Sequence, residues 1–144
     1  VASRAHYDAK SIDWDALKKT TRTRTGLPEY AVSKLANVLH AKELAARLEG
    51  KRITTYSLHP GVVATDVWRA LPGPIAAVVK LFMLSVEDGA KTQLHCATSD
   101  EARTETGLYY DKSAPKKPSR LALDPALATE LRERSLAWVK PFLG

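Results

Sequence analysis

Residues 27–61, LPEYAVSKLANVLHAKELAARLEGKRITTYSLHPG, place a long apolar period, a glycine and a β-rich run in direct succession. Ala31, Leu35, Val38, Leu39, Ala45 and Leu48 recur near the 3.6-residue repeat, which predicts a helix over 29–48 with Gly50 as its stop. Ile53, Thr54, Thr55, Tyr56 and Leu58 then have the composition of a buried strand, ended by His59-Pro60-Gly61. Helix, tight glycine turn and strand together predict one αβ unit of a parallel sheet.

The remaining chain extends that pattern. Val1 to His6 reads as the end of a strand entering a turn. A polar loop follows, anchored by Ile12, Trp14 and Leu17, with a short helical turn over 13–19. Beyond Gly61 lies an apolar segment broken by Pro72, Gly73 and Pro74, with a helix expected over 75–84. Ser85 heads a helix over 86–98, with Glu87 and Asp88 in its first turn. TGLYYDKSAP reads as a second strand, near 107–110, and Asp124-Pro125 opens a last helix over 126–139. Two parallel strands with helices on both faces are expected, in one domain without repeats.

Composition narrows the function classes. The balance of 22 basic against 16 acidic residues is spread over the surface without basic-aromatic interleaving, so it does not point to nucleic acid. A single cysteine, Cys96, excludes an internal disulfide framework and reads as a small core residue. His6, His40, His59 and His95 show no close metal-ligand spacing, and no metal is expected. PIAAVVKLFML, the most apolar stretch, is too short to span a bilayer and contains Lys80. Val1-Ala2-Ser3-Arg4 is not followed by the apolar region of a signal peptide.

Tyr30 and Lys34 stand four residues apart at the start of the long helix, so phenol and ammonium share a face. Taken alone, the pair is more simply an amphipathic helix with a packed boundary tyrosine and a solvated lysine. The chemical alternative is a general acid/base: a nearby cation favours the phenolate form of a tyrosine, which otherwise titrates near ~10. The pair alone does not decide between them.

Four features in order do. Ser3 in VASRAH, Tyr30 and Lys34 in YAVSKLANVLHAKELAARL, the strand TTYSLH and the following PGVVATDV resemble the short-chain dehydrogenase/reductase family. The wording is similar to its retinol-dehydrogenase-like and WW-domain-oxidoreductase-like branch, to which EDGAKTQLHCATS and GLYYDKSAP also correspond. The resemblance covers essentially the whole chain. It implies an α/β fold, the C-terminal half of a Rossmann-type doubly wound parallel sheet in three αβα layers. It also implies an NAD(P)-dependent oxidoreductase that interconverts an alcohol and a carbonyl by hydride transfer, with NADP favoured over NAD.

By the same resemblance Tyr30 is the acid/base, Lys34 tunes it and holds the nicotinamide ribose, and Ser3 hydrogen-bonds the substrate oxygen. Pro60, Gly61 and Val62 form the turn beside the nicotinamide, and Thr65 contacts its carboxamide. Taken singly, Ser3 is a strand-end turn serine and Thr65 a helix cap. His6 and His59 are set aside as packing residues. The segment 67–84 occupies the family's substrate-lid position, and its Val, Leu, Ile and Phe content favours a retinoid-, steroid- or lipid-like substrate. An ordinary core helix explains that composition as well. The resemblance leaves room for a homodimer and for peripheral membrane contact of a cytoplasmic protein.

The family's Gly-rich turn, which cradles the cofactor pyrophosphate, has no counterpart among the seven scattered glycines. Nor does its tetrad asparagine, and Ala2 stands where the branch often has a second serine. The expectation is a partial domain, the catalytic and substrate-binding half without the dinucleotide-binding half, inactive alone. The alternative is a non-catalytic interaction or regulatory module that keeps the fold.

Overall fold

The structure, a computed structural model, describes residues 1–21, 23–61 and 84–143. The helix expected over 75–84 and the lid segment 67–84 fall outside that set, except for Leu84.

Helix α1 spans Leu27–Arg47. Gly26 enters it in the left-handed region at φ 68°, and Pro28 occupies the first turn, where a missing N–H leaves no helical bond unmade. Ala31, Leu35, Val38, Leu39, Ala41 and Ala45 form its buried stripe. Strand β1 is Tyr56–His59, three residues later than the expected start, and Ile53 is 53% exposed rather than buried. The reason is the length of the partner strand. Gly107 N–H reaches the Thr55 carbonyl at 2.8 Å, and no ladder partner precedes it.

Strand β2, Leu108–Asp111, pairs with β1 in parallel register from Tyr56↔Leu108 to His59↔Asp111. The stretch expected as one strand is two. Lys112 and Ser113, both at positive φ (55° and 58°), turn the chain back into β3, Ala114–Pro115, antiparallel to β2. Positive φ at both loop residues is the requirement of a type I′ hairpin turn. At the amino end, Ala2 N–H donates to the Leu58 carbonyl at 2.8 Å, so Val1–Ala2 runs beside β1. From Arg4 to Tyr7 the chain is a 3₁₀ turn, so His6 belongs to a helical turn and not to a strand end.

Among the described residues three further α-helices follow: α2, Val86–Thr98; α3, Asp100–Arg103; and α4, Pro125–Val139. Each has the side-chain cap its first residues require. Ser85 accepts from the Asp88 amide, Ser99 from Ala102, and Asp124 from Ala126 and Leu127.

Strand alternation separates two cores. Tyr109 packs with Leu35, Val38, Leu39, Ala128 and Leu131 on the side of α1 and α4. Leu58 and Tyr110 pack with Ala102, Cys96, Tyr56 and Leu108 on the side of α2 and α3. Helices therefore cover both faces of the sheet, as expected of a three-layer α/β fold. Each fully buried Leu or Val of α1 contributes roughly 1.5–3 kcal/mol relative to exposure. Glu43 of α1, nearly buried, pairs with Arg132 of α4 at 2.8 Å and ties the two helices together.

Gly107 sits where helix and sheet approach most closely. Its φ is 71°, and a Cβ there would stand 3.0 Å from the Ala45 Cβ. Gly107→Ala is expected to destabilise the fold by about 1–2 kcal/mol through left-handed strain alone, with the helix contact adding to it. Chemical denaturation of the variant beside wild type checks this; an unchanged midpoint would contradict it.

Candidate active site

Helix α1 runs antiparallel to β1, and that orientation decides what meets at the sheet edge. Its later residues lie over the strand beginnings: the Thr55 hydroxyl donates to the Ala41 carbonyl at 2.7 Å, and Ala45 meets Gly107. Its first turn therefore points to the opposite edge, where β1 and β2 end. Doubly wound sheets bind ligands at that carboxyl edge.

Tyr30 and Lys34 occupy that end of α1. The Lys34 Nζ stands 5.1 Å from the centroid of the Tyr30 ring, over its face. Tyr30 is 46% exposed and Lys34 half-buried. Asn37, one turn further along the same stripe, donates from its side chain to the Val1 carbonyl at 3.0 Å. That bond turns the Tyr30–Lys34–Asn37 face toward the amino-terminal segment carrying Ser3.

Ser3 follows the residue that pairs with β1 and caps the 3₁₀ turn. Its Oγ accepts from the Ala5 amide at 3.2 Å, which leaves its own proton to donate elsewhere. It makes no hydrogen bond to Tyr30. Its carbonyl accepts from the His6 amide at 3.1 Å and from the His6 ring at 2.6 Å. The other His6 nitrogen accepts from the Ser119 amide at 3.1 Å. A carbonyl only accepts and an amide N–H only donates, so His6 is neutral with its proton on Nδ1. Burial lowers its pKa accordingly. Setting His6 aside as a packing residue understates it, because it braces the Ser3 turn.

Pro60 and Gly61 leave β1 at the same edge. Gly61 has φ 94°, a conformation that disfavours any residue with a Cβ, and a Cβ there would press on the Leu84 Cδ1 at 2.2 Å. Val62 and Thr65 lie outside the described residues. Ser3, Tyr30, Lys34, Pro60 and Gly61 thus gather on one edge of the sheet, from three separate parts of the chain.

Sequence reasoning did not find the charged cluster beside them. Asp111, 6% exposed at the end of β2, accepts from Arg4 Nε at 2.8 Å and Lys116 Nζ at 2.7 Å. Burial pushes its carboxyl up, but the bonds from Lys116 and Arg4 outweigh that and hold it below the usual carboxylate range. Arg4, His59, Pro60, Gly61, Thr92 and Asp111 line a cleft of about 520 Å³. A larger concavity, about 840 Å³, lies at the opposite edge among Leu48, Gly50, Thr106 and Asp124, and holds none of the expected site residues. Of the expected site residues, Pro60 and Gly61 line the smaller cleft, whereas Ser3, Tyr30 and Lys34 do not. Among the described residues no cluster of three metal-ligating side chains occurs, and no helix is long and apolar enough to cross a membrane.

The chain is 38% identical to human retinol dehydrogenase 12 over 112 residues, 76% of this chain and 35% of that protein. It is 37% identical to the WW domain-containing oxidoreductase of Drosophila melanogaster over 71% of this chain and 26% of that one. It is 36% identical to dehydrogenase/reductase SDR family member 13 of Bos taurus over 80% of this chain and 32% of that one. The chain belongs to the short-chain dehydrogenase/reductase family. It spans about a third or less of the length of these relatives. A crystal structure of an uncharacterised protein from Mycobacterium paratuberculosis superposes with a TM-score of 0.70 at 25% identity, over 96% of this chain and 48% of that one. That likeness fits the Rossmann-like fold of short-chain dehydrogenases/reductases. No family model matches the chain.

Buried histidines give this short-chain dehydrogenase/reductase chain a pH signature. Burial lowers the pKa of both His6 and His59 from the ordinary 6.5. The unfolded chain then takes up protons more readily, so this stabilisation is complete above about pH 6.5 and is lost as pH falls through the lowered folded values. The denaturation midpoint should hold between about pH 7 and 8 and decline from about pH 6.5 toward 5. A flat midpoint over that interval would show that neither imidazole is held neutral by the fold.

Proposed function

We propose that residues 1–144 supply the catalytic and substrate-binding half of an NAD(P)-dependent oxidoreductase that interconverts an alcohol and a carbonyl. The observation that carries this reading is the Tyr30–Lys34 pair. Its ammonium lies 5.1 Å from the ring, at the same sheet edge as Ser3 and the Pro60-Gly61 turn.

The donors present suit a nicotinamide nucleotide. Among the described residues neither the Tyr30 hydroxyl nor the Lys34 ammonium has a hydrogen-bond partner or an ion pair, so both remain for ribose hydroxyls and a substrate oxygen. The Pro60-Gly61 turn at the strand end would lie beside the nicotinamide. Val62 and Thr65 would extend that contact. When bound, the nicotinamide supplies or accepts the hydride.

The chain's own residues handle the proton and the charge. In the reductive direction Tyr30 gives its phenolic proton to the carbonyl oxygen; in the oxidative direction the phenolate takes it from the alcohol. Ser3 donates a second hydrogen bond to that oxygen while its lone pair is occupied by the Ala5 amide. Lys34 brings positive charge to the phenol oxygen, which is negative once its proton has gone.

An apolar substrate, retinoid-, steroid- or lipid-like, fits the composition of 67–84 and the names of the retinol dehydrogenase relatives. The same resemblance favours NADP, and it is compatible with a homodimer and with peripheral membrane contact of a cytoplasmic protein.

In the full-length enzyme, Tyr30→Phe should lower kcat by about 10²-fold or more and leave cofactor affinity largely intact. Steady-state kinetics with a long-chain aldehyde, beside a cofactor titration, check both parts. A variant that keeps near-wild-type kcat would remove Tyr30 from this role.

A further inference from the structure

We infer that the segment Asp111–Ser119, the β2–β3 hairpin and the loop beyond it, is a positioning element that aims the Ser3 hydroxyl. The inference rests on the proposed role of Ser3 and adds the machinery that holds it.

Three side chains of the turn after Ser3 are fastened to this one segment, more than a hundred residues away. Arg4 donates to the Asp111 carboxylate at 2.8 Å. The His6 ring accepts from the Ser119 amide at 3.1 Å while donating to the Ser3 carbonyl at 2.6 Å. The Tyr7 hydroxyl donates to the Lys117 carbonyl at 2.5 Å. Arg4 and Tyr7 are exposed residues, and His6 is fully buried. The His6 and Tyr7 rings also stand edge-on to Tyr109 of the first core, at 4.7 and 6.3 Å between centroids.

The hairpin itself is held in a costly shape. Lys112 and Ser113 both occupy the left-handed region, which disfavours residues with a Cβ. Such strain persists only where the surroundings over-determine it. Here Thr92 of α2 accepts from the Ser113 amide at 3.1 Å, and Lys116 reaches back to Asp111 at 2.7 Å. The hairpin is thus fixed to α2 on one side and to the Ser3 turn on the other. Since the Ser3 Oγ is set by the Ala5 amide inside that turn, any slackening of Arg4, His6 or Tyr7 moves the hydroxyl.

A double-mutant cycle in the full-length enzyme tests this. Arg4→Gln and Tyr7→Phe are chosen because both side chains are exposed enough for the variants to fold, and circular dichroism confirms that they do. Each is expected to lower kcat, the pair together by roughly tenfold, with KM for the cofactor unchanged. In a Ser3→Ala background the same substitutions should cost nothing further, because there is no hydroxyl left to aim. Equal losses with and without Ser3, or no loss from the pair, would overturn the inference while leaving the proposed function standing. If Ser3→Ala alone leaves kcat unchanged, the role of Ser3 falls and the inference with it.

Discussion

Parallel pairing of β1 with β2 sends both strands out at one edge, and the rest of the arrangement follows from that. Parallel neighbours need a crossover, so the chain between them must leave the edge, cross a face and return. His59-Pro60-Gly61 and Asp111 consequently emerge side by side. Helix α1, entering β1 through a tight turn, has to run the opposite way, which places its first turn at the same edge. Ala2, bonded to Leu58, brings Ser3 there as well. Residues far apart in the chain meet because the sheet allows their elements only one common boundary.

The two faces of the sheet divide the labour. Tyr109 locks the α1 side, where three aliphatic residues of the helix are fully buried, and so fixes the rotation of α1 about its axis. That rotation decides whether Tyr30 and Lys34 look toward Ser3 or toward solvent. Tyr110 locks the other side against Ala102 and donates its hydroxyl to Glu105, steadying the entry into β2. Charge is used sparingly inside this frame. The buried Asp111 is offset by two cations, and the buried His6 is kept neutral by two backbone partners.

Much of this was legible in the sequence because local rules and tertiary packing agree. The apolar period of α1, the serine and aspartate caps of α2 and α4, and the helix–strand unit of a parallel sheet all appear where expected. The errors fall where length or register is decided by a partner far away. Ile53 has β-forming composition but nothing opposite it, so β1 starts later. Asp111-Lys112-Ser113-Ala114 lacks the Asn-Gly or Asp-Gly signal of a hairpin, so β3 went unseen. Within the site, Tyr30, Lys34, Ser3, Pro60 and Gly61 could be named from motif order. Arg4, Asp111, Lys116 and Asn37 could not. Arg4 meets Asp111 across 107 residues and Asn37 meets the Val1 carbonyl across 36, and no local pattern marks either; Lys116 reaches Asp111 only across the hairpin that the sequence did not signal.

We propose that the reacting oxygen sits at the carboxyl edge of β1 and β2 and not in the larger concavity at the other edge. A crystal structure of the full-length protein with a nicotinamide cofactor and a carbonyl substrate analogue tests it most directly. The account predicts the analogue oxygen within about 2.6–3.2 Å of both the Tyr30 and Ser3 hydroxyls, with Lys34 against the ribose. An analogue bound among Leu48, Gly50, Thr106 and Asp124, or an oxygen out of reach of Tyr30, would contradict it.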